Sequence, residues 1–170
     1  MIIGVAPVHG DGLLISDTRA EFTLMAKPRY ADCIQKIHYV GPNVIAGFAG
    51  STKLGYRQIA VLKKELGPAK PEYGWNIDQI AGSWLPRLFR RIFDQSETIE
   101  KDLGSDVILV AAHPTKTHGG SDEPWMDAVR FCFPNFEAEK GSVHQAVSIG
   151  NASEDSRTIF KEVMKHQFSI

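Results

Sequence analysis

MIIGVAPVHGDGLLISDTRA, Met1 to Ala20, sets the reading of the chain that follows. Two apolar runs, Ile2 to Val8 and Leu13 to Ile15, flank His9-Gly10-Asp11-Gly12. Glycine takes positive φ without a Cβ clash, and Asp-Gly is a strong hairpin signal, so the runs read as antiparallel strands. The second run passes into Ser16-Asp17-Thr18-Arg19. Polar residues at the end of an apolar strand are either a solvated exit or a site, and the exit is the commoner case.

Beyond this hairpin, Glu21 to Ala31 contains Lys27, Pro28 and Arg29 and reads as a strand edge or loop. Lys36 to Val40 is a short strand of β-formers, Gly41-Pro42-Asn43 a turn, and Val44 to Gly50 an apolar strand with small residues that imply close backbone approach. Ser51 suits an N-cap for an amphipathic helix over Thr52 to Leu66, with Leu54, Ile59, Leu62 and Leu66 on one side and Gly67-Pro68 closing it. Pro71 to Tyr73 is linker. Asn76 caps a second helix, whose apolar positions from Ile77 to Phe93 recur at the helical period, with Pro86 inside it as a kink or a weak turn. Its Arg87, Arg90 and Arg91 could meet an acidic partner, although a solvated face is the plainer reading.

Asp106 to Ala112 reads as a buried strand and His113 to Pro124 as a polar turn region. Ala128 to Phe133 and His144 to Ile149 are further strands, and a last helix starts at Ser153 with Ile159, Phe160, Val163 and Met164 as its apolar stripe. Strand blocks and helices segregate, so the expected class is α+β with antiparallel sheets, in one domain over residues 1–170.

Composition narrows the function. Charged residues are 23%, the net charge is −1 and the pI is near 6.6, which gives no footprint for nucleic acid or an anionic membrane. No apolar run approaches the ~20 residues of a membrane helix, and the start lacks the pattern of a signal peptide. Cys33 and Cys132 make no disulfide framework, which fits reduced thiols and a cytoplasmic location. His113 and His118, followed by Asp122 and Glu123, form a conceivable metal set, but surface histidines in a turn are the plainer reading. Cys33 beside Asp32 has no evident base. No cofactor and no metal is expected.

Gly12-Leu-Leu-Ile-Ser-Asp17-Thr18-Arg19-Ala20, Lys36-Ile37-His38, and Asn43-Val-Ile-Ala-Gly-Phe-Ala49-Gly50 before a helix together resemble proteasome subunits. Ser148-Ile149-Gly150-Asn151 fits the same pattern. The resemblance implies the four-layer αββα sandwich of the N-terminal-nucleophile hydrolases. Members continue past the last helix with another helix and edge strands. With the sequence stopping at Ile170, the resemblance leaves two expectations, a reduced variant truncated at the C-terminal end, or an unpaired sheet edge that a neighbour must cover.

In that family the first residue of the mature chain is Thr, Ser or Cys, and its own α-amine is the base. Aligning Gly4 with the family glycine puts this nucleophile just before Met1, and no Thr, Ser or Cys precedes Ser16. Asp17 matches the family's acid, and the lysine it serves is expected four positions before Lys36, where Asp32 stands. Lys27 or Arg29 substitutes only through a register slip. Gly50 matches the glycine whose N–H forms the oxyanion hole, and the family's serine falls at Asn151.

The leading expectation is therefore a non-catalytic proteasome-like subunit, acting in self-assembly, as a homo-oligomer or ring, or in partner binding. One alternative is an active peptidase on peptide or protein substrates, if the mature N-terminus is Thr, Ser or Cys. Another is a small binding module that reuses the fold.

Overall fold

The computed structural model describes residues 2–5, 13–22, 29–68, 75–113, 125–141, 146–150 and 158. Strands β1 (Ile2–Val5) and β2 (Leu13–Ser16) pair antiparallel, as the opening hairpin pattern requires, and β10 (Ala146–Ile149) pairs with the other edge of β1. A second sheet runs β5 (Ile37–Gly41), β6 (Val44–Gly50), β7 (Ser105–His113), β8 (Trp125–Phe131) and β9 (Ala138–Lys140), antiparallel throughout. Between them in sequence, β3 (Arg19–Phe22) and β4 (Arg29–Asp32) form a two-stranded ribbon.

Side-chain alternation builds two cores. Val107, Leu109 and Ala111 of β7 face the helices, together with Val44, Ala46 and Phe48 of β6. Ile108 and Val110 face the other way, against Ala49, Val147, Ile149 and Leu14. The described layers are therefore helices, five-stranded sheet and three-stranded sheet, the expected α+β sandwich with antiparallel sheets.

Helix α1 (Thr52–Leu66) has the bounds its caps dictate. Ser51 Oγ accepts the Leu54 N–H at 3.3 Å, and the Gly67 N–H donates to the Lys63 carbonyl at 2.9 Å. Lys63 and Lys64 in the last turn complement the helix dipole. Its buried stripe includes Leu54, Gly55, Ile59, Leu62 and Leu66. Gly55 lies directly against the buried Phe48 ring, so a side chain there would overlap that ring.

Some expectations change and others gain detail. The single helix from Asn76 is two, α2 (Ile77–Ala81) and α3 (Leu85–Asp94), separated by a turn at 82–84. Pro86 occupies the first turn of α3, where its missing N–H costs nothing, so it starts a helix and kinks none. The stretch from Glu21 to Ala31 contributes to the paired ribbon β3–β4. A further helix, α4 (Thr98–Leu103), is set by a Glu97/Glu100 capping box and tied to α1 through Lys53, 2.9 Å from Glu97 and 3.1 Å from Glu100. The strand expected over Ala128 to Phe133 is β8, which ends at Phe131 before a cis Phe133-Pro134 bond. The turn at 9–12, the linker at 71–73 and the last helix from Ser153 lie outside the described residues.

Gly55→Ala tests the α1–β6 contact. Overpacking costs about 1–3 kcal/mol, against which helix propensity returns at most about 1 kcal/mol. The variant is expected to unfold at lower urea than the parent, measured by circular dichroism.

Candidate functional site

Asp17 follows the end of β2 and turns the chain toward the ribbon. Its Oδ1 accepts the Arg19 N–H at 2.9 Å, a local bond that fixes the corner. The Ile34 N–H donates to the Thr18 carbonyl at 2.9 Å, so residues 17–19 lie beside the segment that leads into β5. From that segment Lys36 Nζ reaches Asp17 Oδ1 at 2.5 Å. The Lys36 side chain is 11% exposed and that of Asp17 40%. Partial burial opposes ionisation of Asp17, but the Lys36 ammonium and the Arg19 N–H favour the carboxylate, and its pKa falls from 3.8 to about 2.

The pair borders an open cavity of about 650 Å³ lined by Ser16, Asp17, Thr18, Arg19, Glu21, Tyr30, Asp32 and Lys36. Four of these belong to the ribbon. Register pairs Arg19 with Asp32 and Glu21 with Tyr30, and strand alternation puts all four on one face. Arg19 Nε bonds Asp32 Oδ1 at 3.1 Å, and its guanidinium lies 5.7 Å from the Tyr30 ring centre. Asp32 pushes the Arg19 pKa up, so the guanidinium stays charged.

This geometry corrects one expectation. The lysine for Asp17 was sought at Asp32, but Asp32 belongs to Arg19, and Lys36 itself supplies the ammonium. Arg29 is exposed on β4 in register with Phe22, and Lys27 lies outside the described residues. Gly50 ends β6 at φ +108°, where a Cβ would stand 2.6 Å from the Gly104 carbonyl, and it does not line the cavity. Asn151, His118, Asp122 and Glu123 lie outside the described residues, while His113 closes β7 in register with Trp125. Among the described residues no cluster of three or more His, Cys, Asp or Glu is placed to hold a metal. Cys33 is exposed, and burial, with Asp106 nearby, pushes the half-buried Cys132 thiol up to about 11, which leaves it unreactive. Sequence reasoning missed the roles of Lys36 and of the ribbon face. The available signal was a lysine directly before an apolar alternating strand.

No protein-family model matches the chain, and no curated protein matches it. Among solved structures, HslV from Trypanosoma brucei superposes with a TM-score of 0.58 over 96% of this chain and 78% of that one, at 14% identity. The chain therefore has the HslV fold, the αββα sandwich expected from the sequence resemblance. Among the described residues no helix is long and apolar enough to cross a membrane.

The depressed Asp17 pKa makes a linkage prediction. A folded-state pKa below the unfolded one contributes stability above about pH 4, and this is lost as pH falls through about 2. At neutral pH Asp17→Asn is expected to lower unfolding free energy by about 1 kcal/mol, a figure reduced for solvent screening of a 40%-exposed carboxylate. The gap between parent and variant is expected to close toward pH 2, measured by urea denaturation across pH.

Proposed function

We propose that the protein is a proteasome-type subunit whose Asp17–Lys36 cavity is the centre of an N-terminal-nucleophile hydrolase site acting on peptide or protein amides. The observation that carries this reading is the ion pair itself, a largely enclosed ammonium held by a carboxylate in the lining of an open cavity. In such chemistry a Thr, Ser or Cys at the head of the mature chain attacks an amide carbonyl, and its α-amine takes the proton. A fixed lysine ammonium favours the deprotonated nucleophile and the developing oxyanion, and the carboxylate keeps that ammonium in place. The Met1 thioether has no ionisable proton, so the reading requires a mature chain that begins with Thr, Ser or Cys.

A second reading, a non-catalytic subunit that assembles or binds a partner, is favoured by Gly50 standing outside the cavity. Self-association into a homo-oligomer, on the ring plan of proteasome-type subunits, belongs to both readings, as does a cytoplasmic location.

The test is the intact mass and N-terminal residue of the protein from its own host, together with hydrolysis of fluorogenic peptide amides. The hydrolase reading expects an N-terminal Thr, Ser or Cys and turnover that falls at least about 100-fold in Lys36→Ala, with solution mass unchanged. A chain that keeps Met1, hydrolyses nothing and sediments as a multimer sinks that reading and carries the second.

A further inference from the structure

Helix α3 carries three exposed arginines, and they do not share one role. Arg90 donates to the Asn135 carbonyl at 2.6 Å and so ties α3 to the loop after β8. Arg87 and Arg91, one helical turn apart, make no ion pair or side-chain hydrogen bond among the described residues. Both line a groove of about 340 Å³ with Trp84 and Leu88 of the same helix region and Glu65 of α1. None of these residues borders the Asp17 cavity.

Two like charges at i and i+4 repel by a few tenths of a kcal/mol in an isolated helix, and neither arginine is ion-paired among the described residues. They stand in a chain of net charge −1, so the groove departs from the electrostatics of the whole. A guanidinium fork matches a carboxylate in a bidentate way, and two forks one turn apart offer four or more donors to one acidic side chain or terminus. Trp84, half-buried, presents an apolar wall beside them, and Trp with Arg is the pairing that dominates binding hot spots. Glu65 also lines the groove and offsets part of the arginines' charge. A polyphosphate or nucleic-acid backbone brings no apolar group for Trp84 and Leu88. A peptide with a carboxylate beside an apolar residue places its charge on the arginines and its apolar group on Trp84 and Leu88. The volume is at the low end of the roughly 300–1,000 Å³ of small-ligand pockets, so it fits a side-chain pair and not a folded element.

We propose that the groove between α1 and α3 docks an acidic, partly apolar peptide segment of a partner protein, with Arg87 and Arg91 holding its carboxylate and Trp84 its apolar side chain. The proposal does not depend on whether the Asp17 cavity is catalytic.

The test titrates the full chain with a fluorescein-labelled Asp-Leu-Asp-Leu-Asp-Leu peptide and follows anisotropy. Saturable binding is expected, weakened at least about tenfold in Arg87→Ala/Arg91→Ala and kept in Arg90→Ala. All three positions are exposed, and circular dichroism checks that each variant is folded. Charge reversal, Arg87→Glu/Arg91→Glu, is expected to transfer binding to the Lys-Leu-Lys-Leu-Lys-Leu peptide. Equal binding by the double alanine variant, no saturable binding at millimolar peptide, or stronger competition by inorganic phosphate or a DNA oligonucleotide than by unlabelled peptide each overturns the proposal.

Discussion

Strand β6 has no face turned to water, and the rest of the structure depends on that. Val44, Ala46 and Phe48 pack under the helices, while Ile45 and Ala49 pack toward the three-stranded sheet. A strand apolar on both faces is stable only inside a sheet that is itself covered on both sides. Its small residues let the layers approach. Gly55 of α1 sits against Phe48 with no room for a side chain, and Gly50, with its positive φ, passes close to Gly104. The Ser51 N–H then donates to the Gly104 carbonyl at 2.7 Å, which fixes where α1 begins relative to β7. The position of α1 therefore follows from the missing side chains at those two contacts, Gly55 of α1 and Gly50 of β6.

The same strand delivers the candidate site. The Phe48 N–H donates to the Lys36 carbonyl at 3.2 Å, just before β5 begins at Ile37. One residue earlier, the Gln35 carbonyl meets His38 Nε2 at 2.9 Å and accepts the Tyr56 hydroxyl at 3.3 Å. His38, stacked on Phe48, is partly buried, and that burial lowers its pKa and favours a neutral ring there. The backbone around Lys36 is thus held by core elements, and its side chain is directed onto Asp17. Precision of this kind belongs to the fold before any chemistry is asked of it.

Where sequence and structure agree, a local rule coincides with a buried stripe. Helix α1 is legible to the residue because Ser51, Gly67 and the lysines of its last turn state its ends, and β6 because nothing polar interrupts it. Where they part, the deciding term is not local. The Asn76 helix keeps its apolar period across the break at 82–84, so periodicity alone gives one helix where chain geometry makes two. The ribbon β3–β4 is rich in charge and stands apart from both larger sheets, so it carries little of the alternation that reveals strands. Asp17 was legible from its motif. Lys36 was not, because counting back along a family pattern takes the loop before β5 to have fixed length, whereas the pairing is decided in space by β6.

The cavity contains two ion pairs of unequal exposure. Lys36 is 11% exposed, so separating it from Asp17 leaves an ammonium with little water to replace its partner. Arg19 and Asp32 are each 62% exposed, and a pair so open contributes at most about 1 kcal/mol and is readily exchanged for other partners. The Asp17–Lys36 pair is therefore the less exchangeable of the two. Arg19 and Asp32 re-pair at lower cost than Lys36, whose side chain is the least exposed of the four charged groups in these pairs. This difference is set by exposure and not by residue type.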